Sequence, residues 1–192
     1  MKVTSKHYEG NNQTFTIRFA EEKDAASLSK IRLQIDGETE NMDREQGEGF
    51  LDEAAFKSVI AADTVANNSL FLIAETEDGR LVGYSRCQGG NFKRTSHRAE
   101  FGVCVVKEFW GYGIGSLLLK SSIKWADSIP LKKLSLNVLE TNHIAVNLYT
   151  KHGFEIEGIL KNDKQLADGQ FYSTLVMGRH YNREARGTKG AK

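Results

Sequence analysis

Three glycines at alternate positions, Gly111, Gly113 and Gly115, follow an apolar, β-branched run from Phe101 to Val106. They precede an amphipathic helical pattern that carries Leu118, Trp125 and Ile129. Strand, glycine loop and helix in that order make an anion cradle. Without Cβ atoms in the way, successive backbone N–H groups converge on one concavity, and the helix behind them adds roughly half a positive charge at its N-terminus. The chemistry on offer is the seating of a pyrophosphate. Farther on, Asn142, Ala145 and Tyr149 stand at i, i+3 and i+7 of a helix opening near His143, so they share one stripe and present an amide, a small gap and a phenol. As bare geometry, that stripe is a helix cap followed by a core aromatic beside Leu148.

Spacing separates the phosphate-binding loops. A P-loop needs Lys directly after its last glycine and a hydroxyl after that, whereas Gly115 is followed by Ser116 and Leu117. A dinucleotide fingerprint needs glycine at 111, 113 and 116 or at 113, 115 and 118, and these end on Ser116 and Leu118. Only Glu140, past a later strand, keeps a ribose-binding acid in view.

The run Trp110-Gly111-Tyr112-Gly113-Ile114-Gly115 resembles motif A of the GNAT superfamily of acetyl-CoA-dependent N-acetyltransferases: Gln or Arg, two residues, Gly, one residue, then Gly or Ala. Trp110 stands where Gln or Arg is usual. The stretch from Asn142 to Phe154, NHIAVNLYTKHGF, resembles the family's motif B. With weaker matches at each end, the resemblance runs from about Thr16 to about His180. It implies acetyl-CoA as co-substrate, with its pyrophosphate on the amides from Gly111 to Ser116. Val105, Trp110, Tyr112, Ile114, Asn142 and Ala145 would complete the cofactor-binding set. It implies a Tyr149 that protonates the departing CoA thiolate, and a primary amine, on a small molecule or a peptide, that attacks directly. A non-catalytic acyl-CoA sensor or interaction module on the same fold is the competing class, because both motifs would survive in it.

An amine must be neutral to attack, and an ammonium with a pKa of about 10 has no lone pair. Glu100 is the candidate base. It precedes the apolar strand, and Ala99-Glu100-Phe101 resembles the strand on which histone-acetylating members carry a glutamate; a water chain and a merely solvated acid are the other readings. Cys104 reads as a buried apolar thiol rather than an acetylated nucleophile. The five histidines form no metal-ligand pattern, with His97 and His143 as minor candidates, and no metal is expected.

These residues need elements to hold them. Thr14 to Ala20 alternates as a first strand; Asp24 is the expected N-cap of a helix through Ile35; a second helix is expected from about Leu51 to Ala62. Leu70 to Glu75 and Leu81 to Cys87 flank an Asp78-Gly79 hairpin turn. After the glycine loop and its helix, which Pro130 ends, come a strand at Leu134 to Leu139, the motif B helix, and strands at Phe154 to Leu160 and Phe171 to Arg179. An antiparallel meander followed by a strand-helix-strand crossover predicts an α/β fold with a mixed sheet, the GNAT fold by resemblance, whose two parallel strands splay to admit the pantetheine arm. The expected organisation is an N-terminal extension over 1–14, one domain over 15–181 and a basic, disordered tail over 182–192.

The formal net charge of +1 and near-equal counts of 26 basic and 25 acidic residues give no bulk attraction to nucleic acid or membrane, so neither is an expected partner. Two cysteines make no disulfide framework, and the first residues lack a signal peptide's apolar core, which points to the cytoplasm. A homodimer is left open. From Asp36 to Glu53 the chain is strongly acidic, with Arg44 as its single base. By resemblance this stretch borders the acceptor entrance, and Glu38, Glu40 and Asp43 are the expected substrate-binding acids for a cationic amine.

Overall fold

The computed structural model describes residues 6–10 and 13–181. Its elements are strands β1 (Lys6–Gly10) and β2 (Gln13–Phe19), helices α1 (Ala25–Glu38) and α2 (Glu53–Val65), strands β3 (Leu70–Thr76), β4 (Leu81–Gly89) and β5 (Arg98–Val105), helix α3 (Ile114–Ser128), strand β6 (Lys133–Leu139), helix α4 (His143–Lys151), and strands β7 (Glu155–Gln165) and β8 (Phe171–His180). The described strands form one sheet in the order β1-β2-β3-β4-β5-β6-β8-β7. Every neighbouring pair is antiparallel except β5 with β6. The mixed sheet expected from the sequence is therefore present, crossover included. β1 extends it at an edge where only an extension was expected, and the expected tail lies outside the described residues.

Each face of the sheet has its own helices. On β4, Ser85 meets Ser122 of α3 across 3.2 Å in the core, while Arg86, one residue on, points the other way and binds Asp63 of α2. The meander is buried on both faces: Leu72, Ile73 and Ala74 of β3 have no exposed surface. That explains why β3 reads as a continuous apolar run rather than an alternating one. Leu118 and Leu119 of α3 are equally buried, and each such side chain contributes about 1.5–3 kcal/mol.

Asp24 is the N-cap residue of α1, as expected, but its side chain makes no capping bond to the helix. Its side chain accepts the Glu21 N–H at 2.8 Å and both Arg18 Nη groups at 2.7 and 2.8 Å, while Arg18 also binds Glu75 of β3. The capping acid is thus taken by a 3₁₀ turn and by a buried ion triad that fixes the start of α1 on the sheet. Asp52 is the N-cap of α2 and accepts the Ala55 N–H at 2.8 Å.

β5 begins earlier than its apolar run does, because Ala99 and Glu100 pair with Gly89 and Gln88 of β4. Glu100 consequently lies inside the strand rather than before it. β5 and β6 are in register only over Arg98, Ala99 and Glu100 against Lys133, Leu134 and Ser135. Past that point β6 stays paired to β8 through Leu139, and β5 stays paired to β4 through Val105. The two parallel strands therefore splay from Phe101 onward.

Candidate active site

The splay leaves a row of backbone groups without sheet partners. Val106 N–H donates to Val82 of β4 at 3.0 Å. Strand residues alternate the direction of their backbone bonds, so the N–H and C=O of Val105, Val103 and Phe101 turn away from β4 toward the gap. One of these is occupied: the indole Nε1–H of Trp110 donates to the Val105 carbonyl at 2.8 Å. Trp110, in the place of the usual Gln or Arg, thereby ties the loop to the strand end and leaves the Val105 N–H facing the gap.

The glycine loop follows. Phe15, Phe109 and Tyr112 anchor it from below, with ring centroids 5.7–6.0 Å apart, and Ile114 is buried beside them. Phe109 and Ile114 are buried beneath the loop, which leaves its glycine backbone facing out. Gly111 and Gly113 have φ of +83° and +80°, the left-handed region that side chains with a Cβ resist, and Gly113 is the N-cap of α3. A Cβ built at Gly111, Gly113 or Gly115 meets nothing within 4 Å. The amide N–H groups from Gly111 to Ser116 have no acceptor among the described residues; the next in line, Leu117, bonds Gly113 within the helix. This is an open, donor-lined concavity at a helix N-terminus, with room for an anion.

On α4, Asn142 caps the helix: its Oδ1 accepts the Ala145 N–H at 3.2 Å. Tyr149, farther along the stripe, is 7% exposed; it packs edge-on against Phe101 of β5, at 6.3 Å, and at a tilt against Phe154, at 5.8 Å. Its hydroxyl has no hydrogen-bond partner among the described residues and faces a cavity that Asn142 also lines. Burial pushes the Tyr149 phenol above its ordinary pKa, with Cys104 adding to the effect, so it holds its proton at neutral pH.

Two adjoining cavities, of about 350 and about 510 Å³, share Arg86, Glu100, Phe101 and Gly102. Glu100 is exposed, and its side chain has no ion pair or hydrogen bond among the described residues. In antiparallel register with Gln88, it shares the sheet face of Gln88 and Arg86. Phe101 lies on the opposite face of β5, and Tyr149 packs there. Glu100 and Tyr149 thus address the splay from opposite sides of the sheet.

The acidic residues of the α1–α2 connection are placed differently from expectation. Glu38 accepts the Lys107 N–H and the Gln34 side-chain amide, both at 2.7 Å, and Glu40 accepts the Ala167 N–H at 2.7 Å. Neither lines a cavity. Asp43 does line the smaller one, but it pairs with Lys164 of β7 at 2.5 Å. Glu40 and Asp43 therefore pin the connection to the β7–β8 hairpin. Cys104 is not the buried thiol expected: it is partly exposed on the cavity wall, 3.6 Å from Met42 Sδ. Burial nonetheless pushes its pKa up, which keeps it a protonated thiol. His97 and His143 are exposed and line neither cavity. Sequence reasoning missed Arg32, Arg44 and Arg86 on the wall. The Arg32–Asp36 spacing of i, i+4 on α1 is the one local signal for them.

Among the described residues, no group of three or more His, Cys, Asp or Glu could hold a metal, and no helix is long and apolar enough to cross a membrane.

Residues 36–154 match the Acetyltransferase (GNAT) family. An Escherichia coli K12 relative, L-amino acid N-acetyltransferase AaaT, is 33% identical over 103 residues, which are 53% of this chain and 63% of the relative. The chain thus spans less than two thirds of that curated relative. An acetyltransferase of the GNAT family from Streptococcus pneumoniae has a solved structure with a TM-score of 0.82 at 31% identity, covering 87% of this chain and 99% of that one. A Sinorhizobium meliloti phosphinothricin acetyltransferase, solved in complex with acetyl-CoA, has a TM-score of 0.78 at 20% identity over 92% of this chain and 95% of that one, a likeness of fold.

Proposed function

We propose that this chain, which belongs to the GNAT acetyltransferase family, moves the acetyl group of acetyl-CoA to the primary amine of a small molecule or peptide by direct attack. The observation that carries this reading is the run of unpaired amides from Gly111 to Ser116 beside the strand splay. The amides suit a pyrophosphate, and the splay suits the amide-bearing pantetheine arm, which pairs there as a short extra strand would.

Acetyl-CoA supplies a thioester; the amine nitrogen forms the new C–N bond as the C–S bond breaks, and the amine proton and the thiolate each need a partner. Glu100 takes the amine proton, directly or through a water, as an unpartnered carboxylate on the cavity wall. Tyr149, protonated and opposite it across the sheet, delivers a proton to the leaving sulfur, giving free CoA thiol and the N-acetyl product. Tyr149 is then a phenolate until solvent restores its proton, a state its burial makes short-lived. Asn142 holds α4 in place through its cap and offers its amide to the cofactor arm; Ala145 leaves the gap that the arm needs.

Incubation with acetyl-CoA and a panel of amines, followed by thiol release, tests this reading. Release that depends on an amine, with the N-acetyl product identified by mass, is expected. Tight acetyl-CoA binding without transfer to any amine would refute the enzymatic reading.

A further inference from the structure

Building on that acceptor site, we propose that the acceptor carries a carboxylate beside its reacting amine, as a free α-amino acid with an apolar side chain does, and that Arg32 and Arg44 recognise that carboxylate. The argument begins with charge. Both arginines line the smaller cavity, and both lean on a single acid, Asp36, whose side chain is 4% exposed. Arg44 donates to it through Nε at 3.2 Å and Nη2 at 2.8 Å. Arg32 Nε stands 3.8 Å from it, and Arg32 Nη1 donates to the Gly49 carbonyl at 2.7 Å. Arg32 Nη2 and Arg44 Nη1 have no acceptor among the described residues.

Two guanidiniums against one carboxylate leave one positive charge, on side chains only 11% and 30% exposed. The other charges on this wall do not cancel it. Arg86 is matched by Asp63 at 2.6 and 3.0 Å, and Asp43 is matched by Lys164. Glu100, the remaining acid on the wall, forms an ion pair with neither arginine; both lean on Asp36. A sheltered cation without a counter-ion calls for an anion, and the free Arg32 Nη2 and Arg44 Nη1 donors suit the two oxygens of a carboxylate. Asp36 fixes the Arg44 fork, so little side-chain freedom is lost when it binds. The same cavity has an apolar side made by Leu51, Phe56, Val59 and Phe71, which suits an apolar side chain on the acceptor. This replaces the polycationic acceptor expected from composition.

The test compares L-leucine with L-leucinamide, which share side chain and amine and differ in the carboxylate. The parent protein's kcat/KM, read by thiol release, should favour leucine by about a hundredfold or more, because charged hydrogen bonds are each worth tenfold or better. R44Q should collapse that ratio toward one and R44K should restore part of it, while calorimetry shows acetyl-CoA binding unchanged in both. An amide used as well as the acid, or a ratio that R44Q leaves intact, overturns the proposal without touching the transferase reading. Should R44Q fail to fold, the parent's acid-to-amide ratio decides alone. If no amine is acetylated, the transferase reading falls. Calorimetry on the protein–CoA complex then decides the inference: leucine binding at least tenfold tighter than leucinamide supports it, and equal or absent binding overturns it.

Discussion

Replacing Tyr149 with Phe removes one oxygen and little else. The ring keeps its contacts with Phe101 and Phe154, at 6.3 and 5.8 Å between centroids. The hydroxyl has no hydrogen-bond partner among the described residues, so its loss orphans no buried group, and stability should change by no more than about 0.5 kcal/mol. The kinetic effect should be larger. A positioned general acid contributes about 10²–10⁴-fold, but a thiolate leaves more easily than an amine or alkoxide, so kcat should fall by about tenfold or somewhat more, close to 1.4 kcal/mol of barrier. The KM-independent affinity for acetyl-CoA, measured by calorimetry, should stay within twofold. Because burial raises the phenol's pKa, the acid form persists upward through pH 9, and the parent's kcat should show no loss from Tyr149 deprotonation there. Single-turnover thiol release isolates the chemical step from product release. A Tyr149→Phe rate within twofold of the parent would refute the proton-donor role; a large loss accompanied by a fall of several degrees in Tm would assign the effect to packing instead.

Gly113 and Gly115 separate strain from cradle filling. Gly113→Val places a β-branched residue at φ +80°, at a cost of at least about 1–2 kcal/mol, whereas Gly115 lies in helical backbone where Ala carries no such strain. Both should weaken acetyl-CoA binding by tenfold or more in calorimetry, and a Gly115→Ala variant that binds like the parent would move the pyrophosphate elsewhere. Glu100→Gln should depress kcat/KM by tenfold or more with acetyl-CoA affinity unchanged in calorimetry; a kcat/KM within twofold of the parent's would leave Glu100 a solvated acid. Asp24, 4% exposed, is opposed by burial, but its hydrogen bonds with Arg18 and the Glu21 N–H win and hold its carboxyl below the usual range. Its contribution is therefore present above an unfolded pKa of about 3.9 and lost as pH falls through the lower folded value. Asp24→Asn should flatten the acid side of a stability-pH curve below about pH 4, with stability at pH 7 down by about 1–3 kcal/mol in denaturant titration, and a curve parallel to the parent's would contradict the pairing.

The loop and the α4 stripe were legible in sequence because their chemistry is local. Glycine at Gly111 and Gly113 reflects a backbone angle, and Asn142, Ala145 and Tyr149 are held in line by helical spacing alone. The parallel crossover followed from connection length. Features fixed by distant partners were not legible. β5 begins at Arg98 because β4 pairs with it as far as Gly89, which no hydrophobic run announces. Asp24 reads as a side-chain helix cap because nothing in its local pattern reveals that Arg18, itself held by Glu75 of β3, takes its carboxylate. Cys104 sits in an apolar stretch, yet the splay of β5 from β6 opens its face of the strand to the cavity.

The acidic connection shows most clearly why a charge count is not a field. Asp, Glu and other short acceptors are what turns and helix starts need, since backbone N–H groups there lack intrahelical partners. In this connection Glu38, Glu40, Glu48 and Asp52 each accept a backbone N–H, from Lys107, Ala167, Glu45 and Ala55 respectively. Asp36 is enclosed by two arginines, and Asp43 is paired with a lysine. The carboxylates that dominate the composition are thus committed to holding the chain, and several point away from the cavity. Arg44, the lone base of the stretch, is turned inward with Arg32 beside it. On the proposed reading, an approaching acceptor meets at this end of the cavity a local sign opposite to the one the sequence displays. That sign reaches the acceptor through partly buried guanidiniums, which salt screens far less than it screens an exposed acidic rim.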